Sequence, residues 1–163
     1  MVDSSQDCSW ICAIQISKVK TDRGNFLGRI SEDFVERVLR VAGFTIIAKN
    51  INLNFTEIDI IAVRGDKLYV FEVRARNCNL QIRDVNNNLL RQDSSKSNIW
   101  WRAHIDLYID SRKIMRVLNG TLLVFNWYRK ILHVTQFSTY LVLLCWENQQ
   151  LYKVKFVNFL DLI

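Results

Sequence analysis

Along residues 31–42, SEDFVERVLRVA, apolar side chains return at helical spacing through Phe34, Val38, Val41 and Ala42. Ser31 is placed to cap the first turn, and Glu32 and Asp33 fall where the positive end of the helix dipole favours acids. Gly43 suits the residue just past the end. A short apolar run, Phe44–Lys49, then reads as a strand, and Asn50–Phe55 as a polar connection. Thr56–Val63 and Lys67–Arg74 are two further strands, joined at Arg64-Gly65-Asp66, a hairpin turn signal. Residues 77–95 are polar and read as a loop or a poorly formed helix. From about Lys96 to Leu118 the helical pattern returns, with Ile99, Ala103 and Leu107 four apart, and Asn119-Gly120 marks its end. Three β-like runs close the chain: Thr121–Trp127, Ile131–Tyr140 merging into Leu141–Trp146, and Leu151–Val157. This order predicts an α/β fold, a mixed β-sheet flanked by helices with extra strands at the C-terminus.

The hairpin carries the candidate chemistry. A two-residue Gly65-Asp66 loop sets Arg64 opposite Lys67, and counting back places Asp59 opposite Glu72 and Glu57 opposite Arg74. Side chains alternate along a strand, so all four share one face with Ile61, Val63, Leu68 and Val70. The other face holds Ile58, Ile60, Ala62, Tyr69, Phe71 and Val73, apolar but for one hydroxyl. A strand pair apolar on both faces belongs inside a sheet, so the charged cluster is expected at the end of a central hairpin. Two carboxylates ~5 Å apart repel by roughly 3 kcal/mol at an effective dielectric of about 20, and folding must offset that. A divalent cation does so, and hard carboxylate oxygens suit magnesium, or manganese in its place. A salt-bridge cluster at a surface end, with Arg74 and Arg76 neutralising Glu57, Asp59 and Glu72, satisfies the same pattern.

Composition narrows the setting. A chain of 163 residues, half of them hydrophobic, suits one globular domain, and the absence of proline and of long polar runs gives no linker. The expected organisation is a single domain over 1–163, with a core at 28–126 and a β-rich extension at 127–163. The longest apolar run, Tyr140–Trp146, is far shorter than the ~20 residues that span a bilayer, so no membrane association is expected. The start, MVDSSQDCSWICAIQI, has Asp3 and Asp7 where a signal peptide needs bases, and reads as a short strand or loosely held arm. A cytoplasmic location is the expectation. Cys8, Cys12, Cys78 and Cys145 lack the paired spacing of a zinc site and read as structural or incidental thiols. The net charge of +6 raises the weight of an anionic partner, nucleic acid foremost. Arg112, Lys113 and Arg116 form a candidate phosphate-contacting patch, or a solvated helix end. Arg102 beside Trp100 and Trp101 has the base–aromatic mixture that stacks on nucleotides, although one tryptophan packed on the sheet is the plainer reading.

Taken together, GRISEDFVERVLRVAGFTIIAKN, then TEIDIIA, then VFEVRAR resemble the YraN-type family. These are poorly characterised bacterial proteins regarded as endonuclease-like, within the PD-(D/E)xK nucleases and distantly related to archaeal Holliday-junction resolvases. The likeness is close over residues 28–76 and faint over 96–126. It implies a restriction-endonuclease-like sheet, Asp59 and Glu72 as metal ligands with Glu32 completing the site, and magnesium or manganese as cofactor. It also implies Arg74 at the place of the usual catalytic lysine, Arg76 as the base that follows it, and Lys96 near a basic family position at the second helix start. Departures are Ser31 and Thr56 where the family usually has glycine, Val124-Phe125-Asn126 where it often has Arg-Phe-Asp, and arginine for lysine at position 74. Arginine keeps the charge but cannot give up its proton, so an electrostatic role survives the change and a proton-transfer role does not.

The activity that the resemblance implies is metal-dependent hydrolysis of DNA backbone phosphodiesters, with branched DNA among the candidate substrates. Resolvase-like relatives often work as dimers, so a homodimer is a compatible assembly. Two other readings stay open: a nuclease-fold module that binds DNA without cutting it, and a basic protein-interaction domain.

Overall fold

A computed structural model describes residues 25–77, 109–147 and 150–162. It consists of helix α1 (Asn25–Val41), strands β1 (Thr45–Asn52), β2 (Glu57–Arg64) and β3 (Lys67–Asn77), helix α2 (Ser111–Tyr128), strands β4 (Gln136–Glu147) and β5 (Gln150–Asn158), and a 3-10 turn at Phe159–Asp161. The strands form one sheet in the order β1-β2-β3-β4-β5. β3 and β4 run parallel and every other neighbouring pair is antiparallel. A mixed five-stranded sheet with a helix on each face is an α/β architecture, as the residue pattern predicts, and it is consistent with the restriction-endonuclease-like sheet that the resemblance implies.

Each helix buries one stripe against one face of the sheet. Phe34, Val35, Val38 and Leu39 of α1 pack with Ile60, Phe71, Val142 and Trp146. On the opposite face Ile114, Val117 and Val124 of α2 pack with Ile61, Leu68, Val70 and Leu143. The strands β2, β3 and β4 are therefore covered on both sides, which accounts for their nearly continuous apolar sequences.

The hairpin forms as the turn residues dictate. Gly65 has φ +62°, a region that glycine enters without steric cost, and Arg64 pairs with Lys67. The predicted register holds from there to Ile60 opposite Phe71, where the backbone pairing of β2 and β3 stops. α1 also ends as predicted: Gly43 has φ +82°, its N–H bonds to Arg40 O, and the Phe44 N–H bonds to Leu39 O, both at 3.0 Å.

Several elements differ from the expectation. α1 begins at Asn25, so Ser31 lies inside the helix and does not cap it. Ser31 is buried, and its Oγ accepts a hydrogen bond from Trp146 Nε1 at 2.9 Å. β1 continues to Asn52, through half of the stretch expected to be a connection. α2 does not end at Asn119-Gly120; it runs to Tyr128 and takes in Thr121–Trp127, which had read as a strand. Tertiary packing decides this. Val117, Gly120, Thr121 and Val124 are the buried residues, at helical spacing, and Gly120 lets the helix lie against β2. A Cβ at Gly120 would stand 3.0 Å from Thr56 Cγ2 and 3.1 Å from both Ile58 Cδ1 and Leu53 Cδ1. β4 starts only at Gln136, so 131–135 is a connection and not strand. Cys145 on β4 is disulfide-bonded, so that thiol is not free. The expected loop at 77–95 and the first part of the second predicted helix lie almost wholly outside the described residues. Among the described residues no helix is long and apolar enough to cross a membrane.

Candidate active site where the central strands part

The end of the β2–β3 ladder is made by a side chain. Asp59 Oδ2 accepts the Val73 N–H at 2.7 Å, taking the place of a backbone acceptor. Across this point the face alternation of β2 changes phase. Ile60 and Ala62 pack toward α1, as expected, while Ile58 lies among the α2-side core and against Gly120. Ile58 was expected beside Ile60; the break at Asp59 separates them.

Glu72 sits on β3, which is paired on its other side to β4 along its whole length, so its backbone is held firmly. Glu72 is 0% exposed and Asp59 only 7%, so these two acids lie below the surface, and of the expected salt-bridge cluster the Arg74–Glu72 pair is present. Glu72 Oε1 is ion-paired to Arg74 Nη2 and, at 3.2 Å, to Lys113 Nζ from α2. Glu72 and Arg74 share a face, as the strand alternation predicts. Glu72 Oε2 has no hydrogen-bond donor among the described residues.

Electrostatics follow from this burial. Desolvation first, and the neighbouring Asp59 second, push the Glu72 carboxyl from 4.5 up to about 7 against the pull of Arg74 and Lys113. Desolvation also raises Asp59, offset by the Val73 hydrogen bond and then by Arg74 and Lys113. Glu32, from the middle of α1, is raised by burial and then by Asp59, and is held in the opposite direction by a hydrogen bond from the Asn50 side chain. Asp59 on β2 thus raises both Glu32 on α1 and Glu72 on β3. No three of His, Cys, Asp and Glu among the described residues stand close enough to hold one ion.

Of the residues singled out in the sequence, Asp59, Glu72 and Arg74 are drawn together and Lys113 joins them, while Glu32 is near enough to Asp59 to be raised by it. Lys113 had been grouped with Arg112 and Arg116 as a candidate phosphate-contacting patch or a solvated helix end. It turns inward to Glu72, with weaker contacts to Thr56 Oγ1 at 3.5 Å and Glu57 O at 3.4 Å. Arg112 and Arg116 are exposed on α2. Arg76 is exposed two residues beyond Arg74, with Nη1 donating to Ala75 O at 3.1 Å. Lys96 and Arg102, with Trp100 and Trp101, lie outside the described residues. Asn50 was not singled out in the sequence, and Thr56 only as a departure from the glycine of the family. Asn50 has φ +52°, a strained setting that favours asparagine, but no local pattern links it to a glutamate eighteen residues earlier.

Fold and site define an α/β protein of restriction-endonuclease-like architecture, with buried strand carboxylates held by cations from a strand and a helix. The model of uncharacterised protein family UPF0102 matches residues 31–118, more than half of the chain, and the protein belongs to that family. The match takes in α1 from Ser31 onward, the hairpin and Lys113. A UPF0102 protein of Dictyoglomus turgidum is 42% identical over 50 residues, which are 31% of this chain and 42% of that protein. One from Hahella chejuensis is 41% identical over 51 residues, and one from Streptomyces griseus 44% over 50, with 31% of this chain covered each time and 41% and 42% of the relatives. The aligned part thus spans about two-fifths of the length of these relatives.

Proposed function

We propose that the protein is a metal-dependent DNA endonuclease that hydrolyses backbone phosphodiesters, with branched DNA as a candidate substrate. The observation that carries this reading is Glu72: a fully buried carboxylate beside a second one, with Oε2 lacking a hydrogen-bond donor among the described residues. Buried charge without compensation is costly, and a site that tolerates it invites a cation. Carboxylate oxygens are hard donors, so the residues fit magnesium or manganese. Asp59 and Glu72 would hold the ion. Glu32 of α1, near enough to Asp59 to be raised by it, would have to move closer to complete the set, since no three such groups among the described residues are within reach of one ion. Such an ion lowers the pKa of a bound water and steadies charge on a phosphate.

The protein's own groups have separate tasks. The Val73 N–H fixes the Asp59 carboxylate, and Arg74 with Lys113 fixes one oxygen of Glu72. Arg74 cannot release its proton, so its contribution is to hold negative charge at the mouth of the site. Arg76, Arg112 and Arg116, exposed nearby in sequence on β3 and α2, would take flanking phosphates, in keeping with the net charge of +6.

The test is cleavage of labelled four-way, flap and linear DNA with magnesium or manganese. Asp59→Asn should lower the rate at least a hundredfold while the Val73 hydrogen bond, and hence the fold, persists. Equal cutting by this variant would refute the assignment. A second reading, a module that binds DNA without cutting, is favoured by arginine at 74 and by the lack of a three-ligand group among the described residues. It requires salt-sensitive binding without metal and no cutting by the wild type.

A further inference from the structure

Position 74 holds arginine, yet the site does contain a lysine, and it comes from the helix that covers the same face of the sheet. Lys113 is carried by the first turn of α2, whose start is fixed by Asp110: its carboxylate accepts the Lys113 N–H at 2.7 Å. Further along, Gly120 seats the same helix directly on Leu53, Thr56 and Ile58 of the loop and strand that lead into Asp59. These two restraints aim the Lys113 side chain at Glu72. Its Nζ lies 3.2 Å from Oε1, the same oxygen that Arg74 engages. The Lys113 side chain is 18% exposed and that of Arg74 30%, so the lysine is the deeper of the two cations. An ammonium is a compact point charge with three donors that turn freely. Glu72 Oε1, Thr56 Oγ1 and Glu57 O lie at 3.2, 3.5 and 3.4 Å from it, only the first of them a close contact. That leaves it able to bond a further anion without leaving the carboxylate.

We propose that Lys113 is the lysine of this site, supplied by α2 and not by the strand, and that it contacts the phosphate on which the site acts while keeping Glu72 in place. This rests on the proposed reading of the site as one for DNA phosphates. Arg74 then serves as the outer cation, and the arginine at 74 marks a division of labour between two elements.

The experiment uses the full chain and short duplex and four-way DNA. Binding is measured in EDTA over a range of salt, and cleavage with magnesium; Lys113→Met, Lys113→Arg and, as control, Lys130→Met are compared with wild type. Lys113→Met should make the slope of log affinity against log salt shallower by about 0.9, one phosphate contact. It should also cut at least a hundredfold more slowly. Lys113→Arg should keep the slope, and Lys130→Met should keep both. A change in packing alone does not move the slope, and circular dichroism shows whether each variant is folded. If Lys113→Met binds with the wild-type slope, Lys113 touches no phosphate and the inference is overturned, whether or not the protein cuts. If the slope falls but the wild type never cuts, the Lys113 assignment stands and the nuclease reading fails. If the wild type binds no DNA at low salt, both are overturned.

Discussion

Replacing Glu72 by Gln tests whether its carboxylate is buried under electrostatic stress. The folded-state carboxyl is raised from 4.5 to about 7, chiefly by burial. Between those two pH values the folded protein binds more protons than the unfolded chain, so stability falls as pH rises through that window and is flat above it. Below about 4.5 the contribution is fully present. At roughly 1.4 kcal/mol per pH unit the whole interval is worth on the order of 3 kcal/mol. Glutamine is neutral at every pH and nearly the same shape. Glu72→Gln should therefore match the wild type near pH 4.5 and exceed it by on the order of 3 kcal/mol at pH 8 in EDTA. Urea denaturation followed by tryptophan fluorescence at pH 4.5, 6 and 8 gives both curves. The quantity to use is the difference between the two proteins, in which Glu32 cancels to first order; Asp59 interacts with Glu72, so the difference reports the pair. Added magnesium should stabilise the wild type at pH 8 and leave the variant unmoved, since only the wild type offers the carboxylate. A difference that does not change with pH would refute the account of Glu72 as a destabilised buried acid.

Asp59→Asn should shift the pH dependence attributed to Glu72 to lower pH, since Asp59 is the second cause of its elevation; the same denaturation series detects this. Gly120→Ala gains about 1 kcal/mol of helix propensity, but its methyl meets Thr56, Ile58 and Leu53 at 3.0–3.1 Å, and overpacking of about 1–3 kcal/mol should leave a net loss near 1 kcal/mol by thermal melting. Trp146→Phe removes the donor to buried Ser31 and should destabilise by about 1–3 kcal/mol; an unchanged melting temperature would show that this bond contributes nothing.

What could be read in the sequence is what short-range rules determine. The Gly65-Asp66 turn set the register as far as Ile60 and Phe71, and Gly43 ended α1, because each depends on a backbone conformation that few residues adopt. The acid pair also stood out, since strand alternation aligns Glu72 with Arg74 and the turn brings Asp59 near. What escaped depends on partners distant in the chain. Ser31 looked like a cap until Trp146, 115 residues away, claimed its hydroxyl. Asn119-Gly120 looked like a helix end because a glycine costs helix stability in isolation. Against β2, the absence of a side chain is what lets the helix continue.

The same distinction governs the central question of position 74. A linear motif assigns the lysine to a strand position, and its absence there reads as loss of chemistry. The chemistry requires only an ammonium near the carboxylate, and it does not matter which element brings it. Thr121–Trp127, read as a strand, hid the true extent of α2, and with it the anchoring of the turn that carries Lys113. Once Gly120 is seen to hold α2 against β2, Lys113 stands 3.2 Å from Glu72 as well as beside Arg112 and Arg116, and on the proposed reading the arginine at 74 no longer means that the site lacks a lysine. If that is right, Arg74→Lys should change the cleavage rate by less than Lys113→Met does. The reverse order would return the decisive charge to the strand.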